Sequence, residues 1–406
     1  MRLLSRLRLR NSLTLKPRFS LKAPLIIDIS ASKLIRIIAT SYAQKKNSEP
    51  TPHSIELEGT EHVADILHSV RAAWDLILQG HNFPKKSEII LSGINITHMK
   101  EIVEAHGFVP VFADVEPETL LPSFQEIASK KTERTVGVLC AHLFGTWSPL
   151  DDLGNWCQNE SIFLVEDCAQ AFMGRDFFGT SNATASLFSF GTIKRATALG
   201  GATAIIRNKQ LRNRILEIQK TYPEQNKKKL REKAQKILTL KAACQKNAYA
   251  AVVGALQMRF GTHEEVLRSA VRGFPCGTVP NMFRIRPNNT QRQLVLDSWK
   301  SSTKDVWYKR SKQMLEAAQK SGISHTVFLG HNAHVHTFWL LPVISSNPEA
   351  LMRNARRKGW DATRGVTSMA AIGNDPNSMA AKILKKIVYL PVSQHEIPNF
   401  KNIKIQ

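Results

Sequence analysis

Apolar and polar positions along residues 51–206 predict strands and helices in turn. Short apolar runs, typical of strands buried on both faces, are separated by longer stretches in which apolar residues recur every three or four positions, as in an amphipathic helix. This alternation is typical of a parallel sheet covered by helices. The predicted helices are 62–78, 97–106 and 150–158, and the predicted strands are 88–91, 109–113, 136–140, 163–165 and 186–190.

Two acids and a lysine follow two of these predicted strands. Glu166 and Asp167 come directly after the apolar run 163–165, and Ser189 and Lys194 lie at the end of the strand 186–190. Open α/β sheets bind ligands at strand ends. Pyridoxal phosphate requires a lysine amine for its Schiff base, a carboxylate to keep its pyridine nitrogen protonated, and hydroxyl or backbone donors for its phosphate. The segment 163–207 therefore has the layout of a pyridoxal-phosphate site.

The same segment resembles the DegT/StrS family of sugar aminotransferases. That family carries an acid-acid-Cys/Ala-Ala-Gln-Ala stretch, then Ser-Phe, a lysine a few residues later, and a Gly-Gly pair. The matching residues are Glu166, Asp167, Cys168, Ala169, Gln170, Ala171, Ser189, Phe190, Lys194, Gly200 and Gly201. Residues 87–119 and 386–393 extend the resemblance. It implies an α/β chain of the PLP-dependent transferase fold type I: a large, mostly parallel-sheet domain with helices on both faces, plus a smaller α+β C-terminal domain.

The resemblance assigns a role to each polar residue of this segment. Lys194 is expected to bond the cofactor and then to move a proton at the reacting carbon, which requires an amine that is neutral part of the time. Asp167 is expected to face the pyridine nitrogen and keep it protonated. Gln170 is expected to touch the ring or its hydroxyl, and Ser189 to bind phosphate.

The predicted phosphate site lies at the start of the segment HSVRAAWDL, which aligns with Ser-Gly-Thr-Ala-Ala-Leu of the family. Ser69, Val70 and Arg71 stand where backbone amides at a helix N-terminus would hold phosphate. Val70 and Arg71 replace the Gly-Thr of the family, so a hydroxyl is lost and a cation gained. Arg71 could pair with phosphate directly; the alternative is a surface arginine.

Two further parts of the expected site need comment: the ring that stacks on the cofactor and the contribution of a second subunit. The aromatic residue that stacks on the cofactor ring in the family falls near Ile94 or Ile96, and neither is aromatic. The resemblance also implies a homodimer in which each site is completed by the neighbouring subunit. The candidates for that contribution are Asn281 and Arg284.

Charge is the unusual property of this chain, since 56 lysines and arginines against 33 acids give a net charge of +23. Such an excess predicts attraction to polyanions. It is concentrated in residues 1–46 and 208–246. The first block has the composition of an organellar transit peptide or of a basic arm lying on anionic lipid. The second runs into an amphipathic stretch, 237–260, which is either an interfacial or a core-packed helix; no transmembrane helix is predicted.

These boundaries predict a basic extension over residues 1–50, a large α/β domain over 51–290 with a basic helical insertion at about 208–260, and a small domain over 291–406 with strands near 337–344 and 386–390. The five cysteines show no CxxC pair, which predicts reduced thiols and a cytoplasmic location. Cys168 is expected to be a small buried hydrophobe. His331, His334 and His336 have strand-like spacing, so no metal site is predicted.

The resulting prediction is an aminotransferase of amino-sugar biosynthesis, with glutamate as donor and a keto-sugar nucleotide as acceptor. One rival is a non-transaminating dehydratase of the same fold, but those enzymes carry histidine in place of Lys194. A second rival is a protein that keeps the fold and binds an anionic membrane through its charge. Nucleic acid is the weaker partner, because aromatic residues make up 7% of the chain and form no stacking motif.

Overall fold

The computed structural model describes residues 21–23, 27–42, 51–260, 263–264, 266, 279–322, 324–365 and 368–392. Most of the basic extension predicted over residues 1–50 lies outside the described residues. The helices are α1 Ala31–Tyr42, α2 Val70–His81, α3 Thr97–Ala105, α4 Phe124–Ser129, α5 Asp151–Asn159, α6 Lys209–Lys220, α7 Lys227–Ala243, α8 Lys246–Phe260, α9 Asn289–Lys300, α10 Lys304–Lys320, α11 Pro348–Arg357 and α12 Met379–Lys386, with 3₁₀ turns at Asn281–Phe283 and His325–Val327.

The strands of the structure are β1 Ser54–Glu56, β2 Val63–Leu67, β3 Glu88–Ser92, β4 Ile94–Ile96, β5 Val109–Ala113, β6 Thr135–Ala141, β7 Thr146–Trp147, β8 Phe163–Asp167, β9 Ala185–Ser189, β10 Ala202–Ile206, β11 Val335–His336, β12 Leu341–Ile344, β13 Met369–Ala371 and β14 Ile387–Leu390. Eight of them form the central sheet, in the order β1-β2-β10-β9-β8-β6-β3-β5. Strands β9, β8, β6, β3 and β5 are parallel neighbours, whereas β10 runs antiparallel to both β9 and β2. The sheet is therefore mostly parallel, as predicted.

Helices cover both faces of this sheet, because successive residues of each strand point to opposite sides. On one face Leu139 and Val165 pack in a core with Trp74 of α2. On the other, Val138 and Leu164 pack with α5, and further along the same sheet a second cluster joins β9 and β10 to α1, α7 and α9. Strands buried on both sides explain why the predicted apolar runs were continuous rather than alternating.

The prediction of one helix over 62–78 is wrong in its first part. Residues 63–67 form β2, which pairs antiparallel with both β1 and β10 and buries four of its five residues. The helix α2 begins only at Val70, because Ser69 is in extended conformation and its hydroxyl oxygen caps the amide of Ala72 at 3.1 Å. The strand therefore ends, and the helix starts, at one edge of the sheet.

The basic insertion is helical, and α7 packs on the core. Leu230, Ala234 and Ile237 of α7 are buried in a cluster that also contains Leu34 and Ile37 of α1. Of the two interpretations of the amphipathic stretch, core packing is confirmed for its α7 part. In the described residues, no helix combines the length and the apolar character needed to cross a bilayer.

The C-terminal part has a core of its own, formed around the β12–β14 pair by α10 and α11. The division at residues 50 and 290 stays a prediction; Leu294 and Val295 of α9 pack with the large sheet. A buried carboxylate joins the C-terminal part to the insertion: Asp361 accepts hydrogen bonds from the Tyr249 hydroxyl at 2.6 Å and from Arg356 Nε at 2.7 Å.

Candidate active site

Lys194 and Asp167 meet at the carboxyl edge of the sheet, because their strands are parallel neighbours. Asp167 is the last residue of β8 and lies opposite Leu187 of β9. Lys194 follows β9 in a turn in which its amide donates to the carbonyl of Gly191 at 2.9 Å. The chain then returns through the Gly-Gly pair, where Gly201 has a φ of +84° and a side chain would come within 2.5 Å of Val295. The sheet therefore brings the predicted lysine and acid together.

The electrostatics of the two groups are coupled. Burial lowers the pKa of Lys194 to about 7, against the opposing attraction of Asp167. Burial raises the pKa of Asp167, while the amide of Ala169 and the cations Lys194 and Arg71 act against that rise. An amine with a pKa near 7 is populated in its neutral form under ordinary conditions, as a lysine that forms covalent bonds requires.

Glu166, at the C-terminal end of β8, is held by several hydrogen bonds. Its carboxylate accepts hydrogen bonds from Trp147 Nε1 at 2.8 Å and from the Thr180 amide at 2.8 Å, and it lies 2.9 Å from His142 Nε2. Although burial alone would raise it, these contacts lower the pKa of Glu166 to about 2. Glu166 is thus a structural anion whose bonding is complete, whereas Asp167 receives one hydrogen bond among the described residues, from the amide of Ala169 at 2.9 Å.

The start of α2 lies on the same edge as Lys194. Ser189 pairs with Ala202 of β10, and Ala202 pairs with Leu67, two residues before Ser69. The amide of Ala72 donates to the hydroxyl oxygen of Ser69, and the amide of Ala73 donates to the carbonyl of Ser69. The amides of Val70 and Arg71 precede these bonds, at the position where a helix leaves amides without an intrahelical acceptor. The first turn of α2 contains no acidic residue, so the positive end of the helix faces this edge without an opposing charge from its own first turn.

Arg71 connects this helix end to Asp167. Its Nε donates to His98 Nδ1 at 3.1 Å, and its charge and that of Asp167 attract each other. Burial lowers the pKa of Arg71 to about 10. A half-buried cation at this position is not the surface arginine of the alternative interpretation.

Gln170 and Asn281 have different surroundings. The side-chain oxygen of Gln170 accepts the amide of Phe144 at 2.8 Å, and its nitrogen lies 3.2 Å from Met369 Sδ on β13. Asn281 is exposed in the 3₁₀ turn that packs against α2. Arg284, which directly follows this turn, donates to both carboxylate oxygens of Asp75 in its own chain, at 3.0 and 3.2 Å.

The two positions that correspond to the stacking residue of the family provide no ring; Ile94 is buried and Ile96 is half-buried. Ile94 and Ile96 lie on β4, which pairs with β13. His98 is bonded to Arg71, and Met99 is buried in the core. The aromatic ring that contacts the lysine comes from elsewhere: the centroid of Trp339 is 4.1 Å from Lys194 Nζ, and Trp339 Nε1 donates to the carbonyl of Ile193 at 3.0 Å.

The sequence matches the model of the DegT/DnrJ/EryC1/StrS aminotransferase family over residues 56–340. The chain belongs to this family. The predicted resemblance and the fold class are thereby confirmed.

Individual members of the family match over limited stretches of sequence. L-glutamine:2-deoxy-scyllo-inosose aminotransferase of Streptomyces fradiae is 34% identical over 131 residues, which are 32% of this chain and 31% of that protein. GDP-perosamine synthase of Escherichia coli O157:H7 is 28% identical over 147 residues, 36% of this chain and 40% of that protein. The chain thus spans about a third of the length of the curated relatives it matches.

The likeness in fold covers far more of the chain than the likeness in sequence. The aminotransferase PseC of Helicobacter pylori, involved in the biosynthesis of pseudoaminic acid, superposes with a TM-score of 0.60 at 14% identity, covering 95% of this chain and 96% of that one. DesI, solved in the presence of its TDP-sugar product, gives a TM-score of 0.61 at 15% identity, covering 95% and 91%. At such identities the comparison establishes the fold alone.

The residues at this edge fit pyridoxal phosphate. The cofactor needs an amine, an acid and anion donors in one place, and the structure provides Lys194, the buried Asp167 and the first turn of α2. Asp167 fits the role in particular, because it is buried, its pKa is raised, and a protonated ring nitrogen would balance its charge.

His336 and Cys168, which the sequence analysis also considered, are packed in the protein interior. His336 stacks on Phe338 at 3.9 Å, its Nδ1 accepts the amide of Phe338, and its Nε2 lies 3.2 Å from the carbonyl of Leu329. Burial lowers its pKa to about 3. Cys168 is fully buried in the core, as expected. The four described cysteines are free thiols.

Proposed function

We propose that this protein is a pyridoxal-phosphate-dependent aminotransferase that moves an amino group from an amino-acid donor to a keto-sugar nucleotide. The observation that carries the proposal is the pairing of Lys194, whose pKa is about 7, with the buried Asp167 at two adjacent strand ends. Membership of an aminotransferase family supports it. When bound, the cofactor supplies a ring that accepts the electron pair of the substrate carbon.

Each residue of the edge has a proposed task. Lys194 would hold the cofactor, and its neutral amine would take and return the proton at the reacting carbon. Asp167 holds the proton on the ring nitrogen. Phosphate is bound by Ser69, Ser189 and the amides of Val70 and Arg71. Gln170 contacts the ring while its side-chain amide joins the loop at Phe144 to β13.

The substrates are proposed from chemistry and from related proteins. The name of the Streptomyces fradiae relative gives L-glutamine as donor, and GDP-perosamine synthase and DesI are named with sugar nucleotides. Glutamate is the donor predicted from the sequence, so the two donors have to be compared. A net charge of +23 favours an acceptor that carries phosphate.

The proposal is tested with the purified protein loaded with pyridoxal phosphate. Addition of glutamate or glutamine should convert the visible absorption band of the cofactor to that of its amino form, and a keto-sugar nucleotide should restore it. Conversion by a donor without restoration by any keto sugar would reject the acceptor class. If no visible band forms with the cofactor, the enzyme proposal fails, and the rival in which the fold serves only for binding is favoured.

We also propose that the active unit is a homodimer, in which Asn281 reaches the phosphate bound by the neighbouring subunit. The exposed position of Asn281 beside α2 supports this assignment. Analytical ultracentrifugation should give twice the 45.5 kDa mass of the chain. A monomer with full activity would exclude the role of Asn281.

Peripheral contact with an anionic membrane is a second candidate function. At the end of α8, Met258 is 86% exposed and Phe260 is 54% exposed on either side of Arg259. Basic residues near such a surface contribute roughly 1 kcal/mol each. We expect the protein to float with anionic vesicles at low salt and to be released at high salt, since screening shortens the reach of exposed charges. If the protein does not float with anionic vesicles at low salt, the membrane proposal is wrong. The positive charge would then serve to attract the substrate, or residues 1–46 would serve in organellar targeting.

A further inference from the structure

A cavity of about 620 Å³ lies beside the loop that carries Lys194. It is bounded by residues 28–33, by the loop 195–197, by the C-terminal end of α9 and by the first half of α10. In the described part of the chain, its lining shares no residue with the candidate active site, although Arg195 directly follows Lys194. Its volume falls in the range of cavities that bind small molecules.

Positive charge dominates the lining of this cavity. Lys33, Arg195, Lys309 and Arg310 line it, and Asp28 is the one acid among its described lining residues. Burial lowers the pKa of Lys33 and of Arg195, and that of Arg310 to about 10. Arg195 and Arg310 also repel each other, while Asp28 attracts both. Among the described lining residues four cations therefore face one acid, and Asp297, outside the lining, also attracts Lys33.

Three of the hydroxyl groups in the lining already donate to the backbone. The protons of Ser298, Ser301 and Ser302 are donated to backbone carbonyls of Thr197 and of Ser298 itself. The oxygen of Ser298 also accepts from Lys33 Nζ at 3.3 Å. The cations approach the cavity from three separate parts of the chain. Guanidinium forks and ammonium groups in this number match the several oxygens of a phosphate group better than a single carboxylate.

We propose that this cavity is a second ligand site, which binds a phosphate-bearing small molecule through Lys33, Arg195, Lys309 and Arg310. Binding here does not depend on the proposed aminotransferase reaction. Because Arg195 follows Lys194 in the chain, an occupied cavity would also fix the loop that positions the lysine.

The test is a calorimetric titration of pyrophosphate into protein loaded with pyridoxal phosphate, so that the phosphate site at α2 is already filled. Arg310→Gln should weaken pyrophosphate binding by about tenfold or more, the loss expected when one charge-assisted hydrogen bond is removed. Lys312→Gln is the matched control, since Lys312 lies exposed on the same helix outside the lining. It removes the same charge and should leave the affinity unchanged.

Lys309→Gln provides a second variant that does not disturb the interior, because Lys309 is exposed. It should weaken binding in the same direction even if Arg310→Gln fails to fold. If pyrophosphate does not bind the loaded wild-type protein, the proposal is wrong. Equal affinity in the wild type, Lys309→Gln and a folded Arg310→Gln would place pyrophosphate elsewhere and also overturn it.

Discussion

Lys194→Ala should lower the rate of amino transfer by about a thousandfold or more while the protein remains folded. The substitution removes the amine that bonds the cofactor and the base that moves the substrate proton. Among the described residues of the site, no second lysine can take over either task. The fold should survive, because the amine of Lys194 makes a contact with the ring of Trp339 rather than a buried ion pair. The measurement is single-turnover transfer from glutamate or glutamine, with circular dichroism to check folding.

Lys209→Ala is the control, since Lys209 is exposed and pairs with the exposed Glu61. Borohydride reduction of the loaded wild type, followed by mass spectrometry, should find the pyridoxyl group on Lys194. An adduct on another lysine would contradict the assignment even if the alanine variant were inactive.

The pKa of Lys194 predicts how attachment of the cofactor depends on pH. Burial lowers this pKa to about 7, and the neutral amine is the nucleophile. The rate at which cofactor-free protein takes up pyridoxal phosphate should therefore rise with pH below 7 and level off above it. A rate that still increases steeply well above pH 7 would mean that the amine keeps the pKa of an ordinary lysine.

Local sequence predicted the parts of the fold that neighbouring residues determine. The runs at β6 and β8 are apolar because each strand is covered on both faces, and the acid and lysine follow strands that are parallel neighbours. The run 63–67 was misassigned to a helix, because its pairing partners are β1 and the distant β10. A five-residue apolar segment does not distinguish a strand from a buried helix by its period.

The parts of the site that the sequence did not predict come from residues far apart in the chain. Trp339 contacts the Lys194 loop from a position 146 residues away from its hydrogen-bond partner Ile193. No periodicity near Lys194 could indicate it; the only signal is a tryptophan within the apolar run of residues 337–344. Likewise the pairing of Arg284 with Asp75 joins residues 209 apart, so the engagement of Arg284 in its own chain was not foreseen.

Asp167→Asn should lower transamination by about a hundred- to a thousandfold, the scale found when one preorganised electrostatic partner is removed. Asparagine keeps the volume of the side chain and can still accept the amide of Ala169, which now bonds Asp167 Oδ1 at 2.9 Å. The lost charge is the one that would hold a proton on the ring nitrogen. Cofactor attachment to Lys194 should persist, so a loaded but slow enzyme is expected.

The control is Asp176→Asn, which removes the same charge from an exposed acid a few residues along the chain. Near wild-type turnover in Asp167→Asn would show that another acid serves the ring, and Glu166 is a poor candidate because His142, Trp147 and Thr180 already occupy its carboxylate. Loss of cofactor attachment together with turnover would instead indicate that Asp167 acts mainly by lowering the desolvation cost of the Lys194 and Arg71 cations. The ratio of the two losses therefore separates a role in ring protonation from a role in charge balance.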